Sequence, residues 1–237
     1  MEKTDEYIAK HFDNTFSAKP KIKYDFNIRK MGLKDRKIIT HLLDYGITGK
    51  RCLDIGPGTG RWLTFLRENR ASYLGAIDIS QESLDICRRL CDKTQRADIA
   101  VEKLDFESNY FDIIISFEVL EHLRNPSNYI SEMIRVIKNG GLVMMSTPNL
   151  VSLASRIRMF FGLRPMAMTL DETHVRFYRK KDITRLFSDY NVIPKFIPTS
   201  ISLNPITPKS RFRIPSFGKL SSLDDSLLFM MNIKKNK

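Results

Sequence analysis

Cys52-Leu53-Asp54-Ile55-Gly56-Pro57-Gly58-Thr59-Gly60 is an apolar run that ends in an acid and passes into a loop with glycine at every second position. Trp62, Phe65 and Leu66 follow at i, i+3 and i+4, so the stretch reads as strand, tight turn and helix. Such a turn lets backbone approach a ligand closely and aims the free N–H groups of a helix start at it. The pattern therefore predicts a nucleotide-type cofactor site. A dinucleotide fingerprint would need glycine at position 61, where the chain has Arg61, which argues against a nicotinamide-dependent oxidoreductase.

Reading outward, Ser72-Tyr73-Leu74-Gly75-Ala76-Ile77-Asp78 is a second buried strand ending in an acid. Asp78 lies 18 residues beyond Gly60, which in a strand–helix–strand unit puts its carboxylate at the carboxyl edge of the neighbouring parallel strand, within reach of a ribose diol. Ser80 then caps a helix to about Cys91. Gln95 to Asp98 forms a short third strand whose acid, Asp98, would sit beside an adenine amine. Any one of these acids could be a strand-end cap; three at these spacings favour the ligand. Phe111 to Phe117 is a fourth strand, with a helix starting at about Glu118. Asn125-Pro126 opens another helix with Ile130, Met133, Ile134 and Ile137 inward, and Leu142 to Met145 is a fifth strand. The alternation over 51–150 requires right-handed crossovers and an α/β, doubly wound parallel sheet.

The chain of 237 residues is 42% hydrophobic, which suits one α/β domain over 1–237: N-terminal helices over 1–48, a cofactor-binding core over 49–150, and a substrate-side region with the last two strands over 151–237. Upstream of the core, Ile8, Phe12 and Phe16, with His11 alongside, predict one helix. Ile38, Ile39, Leu42 and Leu43 predict a second over about 34–45. These helices either cover the cofactor or substrate entrance or only pack on the sheet. No apolar run approaches 18 residues and Met1 to Glu6 lack the apolar core of a signal peptide, so a cytoplasmic protein with no transmembrane segment is expected. Cys52, Cys87 and Cys91 suit packing, and no zinc motif is present.

Charge is unevenly spread. Lys plus Arg against Asp plus Glu number 11 to 7 over residues 1–50, 12 to 14 over 51–150, and 16 to 6 over 151–237. The basic flanks are either a solvated surface or the face toward an anionic partner: a phosphate-bearing small molecule, an anionic lipid surface or RNA. Arg156, Arg158, Lys209, Arg211 and Arg213 are the candidates. The proline-rich segment 203–222 reads as a long flap between the last two strands.

Cys52–Gly60, Asp78, Asp98, Phe111–Leu123 and Lys138–Met145 together resemble the class I S-adenosylmethionine-dependent methyltransferase family, in particular its branch with the sequence Glu118-Val119-Leu120-Glu121-His122-Leu123. The resemblance implies a Rossmann-like, seven-stranded sheet whose last strand, Leu227–Ile233, runs antiparallel under an N-terminal helical cover. It implies that Asp54, Gly56, Gly58 and Gly60 line the methionine part of the cofactor, that Asp78 with Ile79 takes the ribose and Asp98 the adenine, and that Phe117 and Glu118 approach from the fourth strand. The usual Leu-Pro-Phe after the third strand reads Leu104-Asp105-Phe106 here, a departure close to Asp98.

Methyl transfer from a sulfonium needs an attacking atom held in line with the methyl and, for a hydroxyl, a proton acceptor. His122 and His174 are the candidate catalytic groups, and the absence of an Asn/Asp-Pro-Pro-Tyr motif favours oxygen as acceptor. On a helix starting at Glu118, Glu118, Glu121 and His122 would share one face, and with His174 they could hold Mg²⁺ or Mn²⁺. This cluster resembles the metal site of the small-RNA 2′-O-methyltransferases, and in part that of the ubiquinone-pathway O-methyltransferases. The expected function is O-methylation of a small molecule or a glycan- or lipid-linked, anionic intermediate. Methylation of an RNA ribose 2′-hydroxyl and a non-catalytic S-adenosylmethionine-binding regulatory module are the alternatives.

Overall fold

The computed structural model describes residues 3–17, 24, 26–168, 171–202, 213–216 and 222–235. Its strands are β1 (Arg51–Ile55), β2 (Tyr73–Asp78), β3 (Lys93–Arg96), β4 (Phe111–Phe117), β5 (Ile137–Pro148), β6 (Lys195–Ile197), β7 (Ser200–Ser202), β8 (Arg213–Pro215) and β9 (Ser226–Asn232). The helices are α1 (Lys3–Ser17), α2 (Leu33–Tyr45), α3 (Arg61–Glu68), α4 (Gln81–Cys87), α5 (Ser127–Val136), α6 (Leu153–Phe160) and α7 (Lys180–Ser188). Seven strands form one sheet in the order β3-β2-β1-β4-β5-β9-β6, and β7 pairs with β8 in a separate ribbon. β9 runs antiparallel to both β5 and β6, as the family resemblance implies.

Both faces of the sheet are covered, which is why its central strands are apolar on both sides. Leu53, Ile55 and Ile114 pack on one face with Tyr129 and Met133 of α5 and Phe187 of α7. Cys52, Ile113 and Ile115 pack on the other with Ile38 and Leu42 of α2 and Leu63 and Leu66 of α3. The chain thus leaves β1 and β4 toward opposite faces. A crevice opens between the carboxyl ends of these two paired strands.

Several boundaries differ from the sequence reading for local reasons. β3 ends at Arg96, so Asp98 lies in the turn beyond it, where its Oδ1 accepts from Ala100 N at 2.9 Å. Glu132 of α5 holds the following loop by accepting from Leu104 N at 2.8 Å and Arg135 Nη2 at 2.7 Å. Pro126 stands at the cap of α5 rather than in its first turn, and α4 stops at Cys87. β9 is shifted by one residue from Leu227–Ile233.

The largest correction concerns Glu118. No helix starts there: Glu118 has φ +58°, a left-handed conformation that ends β4, and only a short 3₁₀ turn, Leu120–His122, follows. Glu118, Glu121 and His122 therefore do not share a helical face. Most of the expected flap at 203–222 lies outside the described residues, as do Lys209 and Arg211.

Candidate functional site

A cavity of about 890 Å³ occupies the crevice, lined by Gly56 and Gly58 from the turn after β1, by Asp78 and Ile79 at and just beyond the end of β2, by Asp98 after β3, and by Phe117, Glu118 and His122 at and beyond the end of β4. Gly56 has φ +75°, and a Cβ there would overlap Val119 Cγ2, so the turn fits against the segment after β4 only with glycine. Asp78 is oriented by its neighbours. Its Oδ1 accepts from Ser80 N at 3.0 Å and its Oδ2 from Ser83 Oγ at 2.7 Å, while burial pushes its pKa up.

Two residues expected at the cofactor sit differently. A Cβ on Gly60, at the cap of α3, would meet Leu90 and Cys87 at 3.0 and 3.1 Å, so this glycine serves helix packing rather than the cavity wall. Asp54 is 1% exposed and borders a second cavity of about 280 Å³ with Lys34, Asp35, Arg61 and Trp62. The two cavities share Gly56, Gly58, Phe117 and Glu118. Among the described residues no hydrogen bond reaches Asp54 Oδ2, and burial, then Asp78, push its carboxyl well above the ordinary range. A buried acceptor of this kind awaits a donor.

The sequence reading left the role of α1 open. Ile8, Phe12 and Phe16 wall the large cavity, so α1 does more than pack on the sheet. Asp13 fastens the helix by accepting from Ser80 Oγ at 2.6 Å and Glu82 N at 3.3 Å. Nothing in its surroundings in sequence separates Asp13 from an ordinary exposed helical acid.

Beside the cavity, Glu121, His122 and His174 each offer one ligand atom within 4.8 Å of the others. Glu121 Oε1 faces His122 Nε2 at 4.0 Å and His174 Nε2 at 3.9 Å. The remaining atoms of these side chains are engaged elsewhere. Glu121 Oε2 accepts from Thr147 Oγ1 at 2.9 Å, His174 Nδ1 donates to Ala167 O at 2.8 Å, and His122 Nδ1 lies 3.0 Å from Thr173 Oγ1. Because Thr173 Oγ1 gives its own proton to Asp171 Oδ1 at 2.6 Å, His122 Nδ1 is the donor in that contact. Both imidazoles therefore turn an unprotonated Nε2 toward Glu121 when neutral. Burial, then His174, lower the His122 pKa, whereas burial, then Glu118, raise that of Glu121. The strand-like segment after His174 is brought here by Val175 N and Arg176 N, each donating to Glu121 O at 3.0 Å.

Glu118 stands apart from this trio. Its Oε1 accepts from Lys34 Nζ at 2.7 Å and Ser146 Oγ at 2.6 Å. Burial opposes its charge, but Lys34 and Ser146 hold its carboxyl below the ordinary range. Lys34, from α2, is a site residue that sequence reading missed, because its neighbours gave it the pattern of a solvated helical face. His11 points its Nε2 at Asp171 Oδ1 at 3.9 Å from α1.

A family model described as "Methyltransferase domain" matches residues 28–192. The chain belongs to the class I S-adenosylmethionine-dependent methyltransferases. It is 28% identical over 216 residues to the ubiquinone biosynthesis O-methyltransferase of Dechloromonas aromatica, with 88% of each chain covered. It is 33% identical over 109 residues to the protein of that name from Nitrosomonas europaea, covering 44% of this chain and 46% of the relative. The fold matches a Thermotoga maritima methyltransferase described as a possible histamine N-methyltransferase at TM-score 0.64, with 14% identity over 99% of this chain and 100% of that one. It also matches magnesium protoporphyrin IX methyltransferase from Synechocystis PCC 6803, solved with bound S-adenosylhomocysteine, at TM-score 0.60, with 14% identity over 97% and 99% of the two chains. S-adenosylmethionine is thus the cofactor of this methyltransferase, and the glycine turn, the orphaned Asp54 oxygen and the row of carboxylates along the cavity fit it.

Asp78→Asn keeps the shape of the side chain but removes its charge, so affinity for S-adenosylhomocysteine, read by calorimetry, should fall by about 1.5–3 kcal/mol. Unchanged affinity would remove Asp78 from the ligand contacts. A second expectation concerns pH. The folded pKa of His122 lies below the ordinary 6.5, so its contribution to stability is in place above pH 6.5 and is lost as pH falls through the lowered value. His122→Asn should flatten that part of the stability–pH curve measured by urea unfolding; an identical curve would contradict the shift.

Proposed function

We propose that this methyltransferase methylates a hydroxyl oxygen on a small, anionic or lipid-linked acceptor, with Glu121, His122 and His174 at the reacting end of the cavity. The observation that carries this reading is the convergence of two imidazole Nε2 atoms and one carboxyl oxygen beside a cavity walled by the residues expected at the cofactor. The name shared by the curated relatives supports oxygen as the acceptor atom. Bound S-adenosylmethionine supplies an electrophilic methyl and its own leaving group. Asp78, with Ile79, would hold the ribose hydroxyls, Asp98 the adenine amine, and Asp54 with the turn at Gly56 and Gly58 the methionine end.

The proton of the attacking hydroxyl needs an acceptor. His122, kept neutral by burial and by His174, can take it at Nε2 while Thr173 and Asp171 hold its Nδ1–H in place. Phe12 stacks edge-on against His122 with ring centroids 5.1 Å apart, so α1 helps exclude water from this end.

A second reading gives the same trio a divalent cation. Ligand types and their outer hydrogen bonds favour it: each histidine has Nδ1 tied to a backbone or hydroxyl oxygen, as metal-binding histidines commonly do. The ligand set would be Glu121, His122 and His174 without Glu118, whose charge Lys34 already neutralises. A cation of the Mg²⁺ or Mn²⁺ class would supply Lewis-acid polarisation of the acceptor oxygen.

With ¹³C-methyl-labelled cofactor and an acceptor extract, the product should show a new methoxy carbon signal; an N-methyl or C-methyl signal alone would overturn the oxygen assignment. Exhaustive chelation separates the two roles of the trio. If the cation acts, activity falls and returns with Mn²⁺, and Glu121→Gln weakens that return. Full activity after chelation, with no response to Mg²⁺ or Mn²⁺, leaves His122 as a metal-free base.

A further inference from the structure

α6 ends in a run of large apolar side chains held out from the protein. Met159, Phe160, Phe161 and Leu163 are 45%, 85%, 70% and 52% exposed, four such residues within five positions, and Met168 is exposed on the next turn. The other exposed large apolar side chains among the described residues, such as Val101 and Ile193, are not clustered in sequence in this way. The run is built rather than frayed. Ala154 and Ser155 bury the opposite side of α6, Ser152 caps it by accepting from Ser155 N at 3.2 Å, and Gly162 at φ +72° ends it with Leu163 N donating to Arg158 O at 2.9 Å. The Phe160 and Phe161 rings meet edge to face with centroids 5.3 Å apart.

The charge carried by this stretch of the chain has one sign. Arg156, Arg158 and Arg164 flank it, and no Asp or Glu occurs between Glu132 and Asp171. Arg156 and Arg164 are exposed. A patch of aromatic and aliphatic residues rimmed by arginine fits an interfacial membrane anchor, where rings enter the headgroup boundary and cations meet anionic phosphates. A second copy fits it less well, since a two-fold contact through the same patch would set arginine against arginine. Among the described residues no helix is long and apolar enough to span a bilayer, so the contact would be peripheral.

We propose that the tip formed by residues 156–164 docks this methyltransferase on an anionic lipid surface, from which it takes an acceptor carrying a lipid tail. The second half of this statement rests on the acceptor reading above. The tip is joined to the site: Ser155 Oγ accepts from Met166 N at 3.1 Å, and Ala167 O, one residue further, accepts from His174 Nδ1 at 2.8 Å. A surface that seats the tip therefore also bears on the segment that orients His174.

The test is co-sedimentation with vesicles, which requires no methyl transfer and so fails or succeeds independently of the acceptor assignment. The full chain should sediment with phosphatidylglycerol vesicles and much less with phosphatidylcholine vesicles, and added salt should release it. Phe160→Ser/Phe161→Ser should weaken binding at least about tenfold, and Arg156→Glu/Arg164→Glu should do so as well. All of these side chains are exposed, and unchanged S-adenosylhomocysteine affinity by calorimetry would show that each variant is folded. No sedimentation of the wild type, or equal sedimentation of the Phe160/Phe161 variant, overturns the proposal. So does a wild-type dimer that the Phe160/Phe161 variant abolishes while vesicle binding is absent.

Discussion

Strands β1 and β4 lie side by side in the sheet, yet the helices that follow them must pack on opposite faces, because α3 carries its apolar stripe to one core and α5 to the other. The crevice left between the two carboxyl ends is the constraint on which the rest depends. The glycine turn after β1, Asp78 at the end of β2, Asp98 after β3 and Glu118 after β4 all face it because parallel strands end on the same edge. Burial there has an electrical cost. Asp54 and Asp78 are both buried, on adjoining cavities, with their pKa values pushed upward, a tension that hydrogen-bond donors on a bound ligand would relieve.

The far end of the crevice solves a similar problem in two ways. Glu118 is neutralised by Lys34, and its left-handed backbone turns the chain so that Glu121 points inward instead of along a helix face. Glu121 has no such cation within hydrogen-bond distance among the described residues; it faces two imidazoles. This asymmetry leaves one of two carboxylates three residues apart ion-paired and the other facing imidazole nitrogens.

The sheet was legible in the sequence because its signal is local. Apolar runs over Cys52–Ile55, Leu74–Ile77 and Ile113–Ile115 are bounded by turn residues, and the crossovers between them follow from chain handedness. The cavity wall was legible for the same reason, since Asp78 ends β2 and Gly56 and Asp98 lie in the turns just beyond β1 and β3. What surrounds Gly60 was not legible, because a glycine in a loop gives no sign that its missing side chain makes room for Leu90 and Cys87. The helical face at Glu118 failed because the choice between helix and left-handed turn is made by tertiary partners, Lys34 and Ser146, that lie 84 and 28 residues away. Lys34 and Asp13 sit on amphipathic helices whose polar side is read as solvated unless the packing partner is known.

Thermal unfolding with S-adenosylhomocysteine and with NAD tests most directly whether this crevice is the cofactor site. At about one hundred times its dissociation constant, a ligand that binds only the folded state adds about 2.7 kcal/mol. For a chain of this size that corresponds to a rise in Tm of about 5–10 °C. The account predicts such a rise with S-adenosylhomocysteine and none with NAD, and equal shifts from the two ligands would contradict it.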